Sequence, residues 1–358
     1  MSSQIEITAW DARSGDDVCI CGVGARTAVG STAPASAAAV RASISGLGLH
    51  PSFVDQDDEP VSFAADPLID ADIPIAERMF HMWQSVAEEV LSQVPSMLKI
   101  DCSWLALPEP RAGLPADLSS WLAIAESKRT NFSLGSVHTL SGGHASGLMA
   151  LQGAAQMLSR GEAGAALVIG VDSYHNHQTV RSLDMRRRLM AARNPGGFPP
   201  GEAAGACLLV RSSTAQRHGL PVLARIRSAA TAVEPHPLRS NDPCLGEGLT
   251  AVIASVASGL KLPQELITAT YCDINGERYR SEEFVYALLR MQEAFVDAHD
   301  YVSPADCWGD VGAASGPLFA VLAVASGLRG YAKGAYPLLW AGSDSGYRAA
   351  TLLALGHS

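Results

Sequence analysis

The residues of this chain best suited to chemistry stand in short glycine-rich segments. His144 lies in Leu140-Ser141-Gly142-Gly143-His144-Ala145-Ser146-Gly147-Leu148-Met149, a tight turn running into a helix of small residues. An imidazole in such a turn can move a proton or ligate a metal. The glycines give the backbone freedom of a strand-to-helix bend, and their spacing matches neither a P-loop nor a dinucleotide fingerprint. Asp172-Ser173-Tyr174-His175-Asn176-His177 carries histidines at i and i+2, on one face if the segment is extended, which suits a metal or ligand loop. Cys272 stands beside Asp273 and is a candidate nucleophile, although adjacent strand positions face opposite sides. Arg181, Arg186, Arg187, Arg188 and Arg193 form the dense basic run of an acidic chain. That run is either a solvated helical face or a dock for an acidic carrier protein or phosphopantetheine.

Composition limits the function classes. With 358 residues, 47% of them hydrophobic, the chain can bury a core large enough for two domains or one duplicated architecture. Its 36 acidic against 26 basic residues give a formal charge of -10, which excludes an extended phosphate-tracking surface for DNA or RNA. The seven cysteines, at 19, 21, 102, 207, 244, 272 and 307, form no CxxC pair and no metal-ligand spacing. They read as reduced core residues of a cytoplasmic protein, and neither a cofactor nor a metal is expected. No basic segment followed by an apolar run opens the chain, so no signal peptide is expected. The longest apolar stretch, 318–328, is interrupted by Ser326 and Gly327 and is too short to span a bilayer.

The elements that must position these residues alternate. Apolar runs predict strands over 18–23, 103–107 and 165–171, and helical spacing predicts helices over 33–45, 75–93, 119–128 and 144–160. The run at 165–171 is continuous, as for a parallel strand buried on both faces. Residues 48–74 are rich in Asp, Pro and Ser and read as an exposed excursion; 108–118 have no assigned role. The pattern then recurs, with strands starting at 222 and covering 266–272, 337–340 and 349–355, and helices over 246–258, 281–292 and 312–328. Such order implies an α/β protein with an internal duplication. Its seam falls near 211–219, where Ser, Thr, Arg and Gly break the periodicity, giving halves 1–215 and 216–358.

Read together, the segments resemble the thiolase superfamily, and within it the β-ketoacyl synthases. Residues 21–30 resemble the opening strand and turn of those enzymes, 164–172 the strand ending in their Gly-Gly-Val-Glu, and 196–210 their Gly-Glu-Gly-Ala segment and following strand. Residues 140–151 resemble their nucleophile elbow, with His144 where the cysteine would stand. Tyr271-Cys272-Asp273-Ile274-Asn275-Gly276-Glu277 resembles His-Gly-Thr-Gly-Thr, with Asp273 at the histidine. Cys307-Trp308-Gly309-Asp310-Val311-Gly312-Ala313-Ala314-Ser315-Gly316 resembles Gly-His-x-x-Gly-Ala-Ala-Gly, with Asp310 at the second histidine and Ala305 near the expected lysine. The closing Gly-Phe-Gly-Gly-x-Asn signature becomes Gly342-Ser343-Asp344-Ser345-Gly346, with Asp344 at the gating phenylalanine, where a carboxylate would oppose an alkyl chain.

The resemblance implies a five-layered αβαβα fold, usually dimeric, in which His144, Asp273 and Asp310 converge and Gly143, Cys272, Asp344 and Gly346 line the pocket. It places His175 and His177 in a dimer-edge loop and gives Glu202 structural hydrogen bonds. The family's chemistry needs a thiolate at a helix N-terminus, and that thiolate is missing here. The expected function is a catalytically degenerate, non-condensing accessory or scaffold partner, in a bacterial acyl-chain pathway or a type VI secretion effector system. Its partners would be a second copy or a ketosynthase-like subunit, an acyl carrier protein or an effector-system protein. Two alternatives stay open: an acyltransferase or hydrolase using His144 with Asp273 or Asp310, and an acyl-carrier or ligand-binding module.

Overall fold

The computed structural model describes residues 5–12, 17–130, 132–238 and 240–356, so residues 1–4 of the stretch read for a leader lie outside it. The strands are β1 (Ile7–Asp11), β2 (Val18–Thr27), β3 (Gly48–Val54), β4 (Pro60–Phe63), β5 (Cys102–Ala106), β6 (Ser136–Leu140), β7 (Ala165–Ser173) and β8 (Glu202–Arg211), then β9 (Ala224–Val233), β10 (Ala269–Cys272), β11 (Tyr301–Val302), β12 (Pro337–Gly342) and β13 (Tyr347–Leu355). The helices are α1 (Ala33–Arg41), α2 (Ile75–Ser92), α3 (Leu118–Arg129), α4 (Ser146–Ser159), α5 (His177–Asp184), α6 (Ser212–His218), α7 (Glu247–Ala257), α8 (Arg278–Met291), α9 (Ala305–Trp308) and α10 (Ser315–Leu328).

The strand order is β11-β10-β12-β13-β9-β2-β8-β7-β5-β6, with β1 added to β9 and β3-β4 a separate hairpin. This order contains a repeat. Numbered within each half, β2 to β8 (without the hairpin) and β9 to β13 both run 1-5-4-2-3 across the sheet. Both halves also have the same senses: two antiparallel pairings followed by two parallel ones. The halves join where Cys19 and Ile20 of β2 meet Arg225 and Ala224 of β9.

Five layers follow. Helices α2 and α3 cover one outer face, α7 and α8 the other, and α4 with α10 fill the middle between the two half-sheets. Strand β2 shows how one sequence serves two cores. Val18 and Ile20 face the central core and Cys19 and Cys21 the outer one, the period-two alternation of a strand buried on both faces. Helix α2 turns Met79, Met82, Trp83, Val86 and Val90 onto the outer face of the first half-sheet. The two central helices approach at glycines: a Cβ on Gly316 would lie 2.6 Å from the Leu148 amide nitrogen, and one on Gly147 2.5 Å from Pro317 Cδ.

Several expectations shift. Residues 48–74 are not a simple exposed excursion, because Phe53, Val61 and Phe63 of the β3-β4 hairpin are buried against Tyr174, Val180, Leu183 and Phe198. The strand expected over 18–23 is β2 and extends to Thr27, preceded by β1 at Ile7–Asp11, and the first helix stops at Arg41, shortly before Ser43 takes φ 53°. The helices expected from 144 and 312 begin at Ser146 and Ser315, after tight 3-10 turns over Gly143–Ala145 and Gly312–Ala314. Among the described residues no helix is long and apolar enough to cross a membrane.

Candidate functional site

The two tight turns put His144 and Asp310 at the entrances of the central helices. Gly143 and Gly312 have φ of 67° and 47°, values that favour glycine, and a Cβ on Gly312 would fall 1.9 Å from Asp172 Oδ2. His144 Nε2 lies 2.8 and 2.9 Å from the two carboxylate oxygens of Asp310. Asp310 also accepts from Asn275 Nδ2 at 2.6 Å, the Gly312 amide at 3.0 Å and the Tyr174 hydroxyl at 3.4 Å. His144 is 7% exposed and Asp310 4%.

Asp273 reaches the same place but does not bond to His144. Its Oδ2 accepts from Arg280 Nη1 at 2.7 Å and from the Gly342 amide at 2.9 Å. Arg280, on α8, stands between them with Nη2 3.4 Å from His144 Nε2. Asp344 takes Arg188 as its main partner, accepts from the Tyr279 hydroxyl at 3.2 Å, and lies 3.8 Å from Arg280. Arg188 in turn grips both oxygens of Glu277 at 2.7 and 2.8 Å. His144, Arg188 and Arg280 thus face Asp273, Glu277, Asp310 and Asp344 in one buried network.

The network sets the protonation states. Burial, the largest single influence on His144, disfavours an imidazolium. The Asp310 charge and hydrogen bond overcome burial and the opposing Arg280, so His144 titrates above its ordinary value. Asp310 is held far below the carboxylate range despite its own burial, by His144 foremost and then by Arg280 and Asn275. Burial would raise Asp344 too, but Arg188 and Arg280 bring it down to about 2. Asp310 thus favours the protonated form of His144, and Nε2 is committed to that carboxylate.

A cavity of about 80 Å³ adjoins His144, lined by Glu109, Arg111, Gly143, Tyr174, Arg188 and Asp344 among others. Its volume is well below the roughly 300–1,000 Å³ of small-molecule sites. Of the expected lining residues, Gly143 and Asp344 reach it, whereas Cys272 and Gly346 do not. Cys272 is fully buried with Sγ 3.8 Å from the Val302 carbonyl, and burial pushes its thiol well above the usual range. It borders a separate void of about 10 Å³. Gly346 turns the 343–346 loop at φ 110° and lies against Val233 and Pro237. Residues 108–118, which the sequence left without a role, help line a groove of about 450 Å³ that shares Arg111 with the cavity.

Other expected groups resolve differently. Arg188 is drawn into the network, while Arg187 and Arg193 pair with Asp57 at 3.1 and 3.6 Å, so the basic run is only partly a solvated face. His175 stacks on His50 with ring centroids 5.1 Å apart, and His177 meets His50 edge-on at 6.3 Å. Glu202 holds Arg78 through both oxygens and accepts from Ser173 and from the Asp66 amide. Arg280, Asn275 and Arg111 were not singled out from the sequence. Arg280 is the third residue of α8, within its first turn, where helix periodicity alone gives no sign that it points inward.

Residues 127–215 match the family model for the N-terminal domain of β-ketoacyl synthases. No match was found among curated protein sequences. Among solved structures, the ishigamide ketosynthase/chain length factor superposes with a TM-score of 0.76 at 15% identity, covering 96% of this chain and 100% of the other. The ketosynthase from module 6 of the bacillaene synthase of Bacillus subtilis 168 gives 0.76 at 14% identity, over 96% of this chain and 72% of the other. A type II polyketide synthase acyl-carrier protein in complex with its ketosynthase bound to the hexaketide gives 0.74 at 12%, over 95% and 99%. At these identities the likeness is one of fold.

Proposed function

We propose that this chain, a ketosynthase-like protein of the thiolase fold, is a non-condensing accessory or scaffold subunit. The observation that carries the reading is the buried His144–Asp310 pair at the elbow, 2.8 Å apart, where condensation would need a free thiolate. Among the described residues no cysteine lines the adjoining cavity, and that cavity is too small for a long acyl chain. The network also fills with charge the space in which an alkyl chain would have to be desolvated.

The similarity to a ketosynthase/chain length factor and to a ketosynthase held by its acyl-carrier protein supports a partner of that kind: a ketosynthase-like subunit or an acyl carrier protein. A homodimer and an effector-system partner belong to the same proposal, with 1–215 and 216–358 as its two repeats and the cytoplasm as its setting. The competing acyltransferase or hydrolase needs His144 as a base, and its Nε2 is held by both oxygens of Asp310 with the Arg280 guanidinium 3.4 Å away. Incubating the protein with a panel of acyl thioesters, beside His144→Ala, tests the reading. No turnover above background in either protein is the expected result.

A further inference from the structure

Behind the His144 site, three potential ligands arrive from separate elements. Glu234 follows β9, Cys244 lies in the loop before α7, and Glu283 is on α8. One side-chain ligand atom from each lies within 4.8 Å of the other two. The ionic network around His144 uses none of them.

Their hydrogen bonding is incomplete in a particular way. Glu234 is 1% exposed; its Oε2 accepts from the Gly248 amide at 2.7 Å, while its Oε1 has no hydrogen-bond partner. A buried carboxylate oxygen left unpaired is costly, and a cation would satisfy it. Glu283 is oriented by Arg348, whose Nε and Nη2 reach its two oxygens at 2.5 and 3.0 Å. Each oxygen keeps a lone pair for a further partner.

We propose that Glu234, Cys244 and Glu283 bind one divalent cation, zinc(II) by preference, with water completing the coordination. A thiolate beside carboxylates suits a borderline-soft ion and excludes calcium and magnesium, which take oxygen alone. The metal's two charges and Arg348's one balance two carboxylates and a thiolate. Tetrahedral zinc sets oxygen and sulfur ligands about 3.5 Å apart, so small side-chain rotations close the site from its metal-free spacing. The ion would be structural. Glu234 donates its amide to the Gly346 carbonyl at 2.8 Å, and Arg348 donates to the Ser343 carbonyl at 2.9 Å. Tying 234–244 to α8 therefore stiffens the loop that carries Ser343 and Asp344 into the His144 site.

Cobalt(II) is the probe, added to the tag-free full chain after chelator treatment. One equivalent should produce a thiolate-to-cobalt charge-transfer band, and zinc(II) should displace it. Cys244→Ser should abolish the band and Glu234→Gln should weaken cobalt binding at least tenfold, while Cys307→Ser keeps both, with folding checked by circular dichroism. Absence of the band in the wild-type protein, or its survival in Cys244→Ser, overturns the site. Neither result bears on whether the protein turns over thioesters.

Discussion

His144 and Asp310 meet through both carboxylate oxygens, at 2.8 and 2.9 Å, although 166 residues separate them in the chain. Each sits at the N-terminal entrance of a central helix, and the contact locks the two halves of the fold together. A proton on His144 at a helix N-terminus would oppose the helix dipole, and the Asp310 carboxylate offsets that cost as well as desolvation.

Asp310→Asn should destabilise the protein more than His144→Ala. The first leaves His144 beside Arg280 without its counter-charge, on the scale of about 3–5 kcal/mol for breaking a buried pair. The second leaves Asp310 its bonds from Asn275, Gly312 and Tyr174. Denaturant midpoints of the two variants at one pH measure the order, and equal losses would show that the pair does not act as a charge pair.

The same pair sets a pH dependence. His144 is raised in the folded state, so its contribution is full below the unfolded value near 6.5 and is lost as pH rises through the folded pKa. Asp310 is lowered, so its contribution is present above its unfolded value near 3.8 and fades only in strong acid. Thermal midpoints from pH 6 to 9 should fall in the wild type and flatten in His144→Gln.

The histidine cluster works in the opposite sense. Burial, then the neighbouring His175 and His177, pull His50 down to about 4, with Glu202 opposing and Arg78 assisting. A depressed histidine favours folding above its unfolded value near 6.5, and that support is lost as pH falls toward 4. His50→Phe, which keeps the ring contacts to Phe53 and Phe63, should reduce the acid sensitivity of the denaturant midpoint between pH 6.5 and 4. An unchanged slope would assign that sensitivity to other groups.

Gly316→Val should disrupt the central layer, since even a Cβ there meets the Leu148 amide nitrogen at 2.6 Å and backbone cannot yield as a side chain does. Overpacking of about 1–3 kcal/mol or more is expected from a chemical unfolding curve. Gly196→Ala, with nothing within 4 Å of the added Cβ, is the control.

The architecture was largely legible because it rests on local pattern. The continuous apolar run of β7 and the spacing of Met79, Met82 and Val86 in α2 place elements without reference to the rest of the chain. The β3-β4 hairpin was not, because its Asp- and Pro-rich turns hide the alternating Phe53, Val61 and Phe63. At the site, His144, Asp273 and Asp310 were found by their segments, but their true relation depends on Arg280, which inserts between Asp273 and His144. Only a long-range contact reveals that. Glu234, Cys244 and Glu283 share no spacing either, and meet only through the packing of β9, α7 and α8.

The most direct test of the central claim is turnover of acyl and malonyl thioesters by the wild-type protein beside His144→Ala. The non-condensing reading, with His144 engaged by Asp310 where a thiolate would be needed, predicts that thioester loss in both matches the no-protein control across pH 6 to 8. Wild-type turnover that His144→Ala abolishes would contradict it and establish His144 as a working catalytic group.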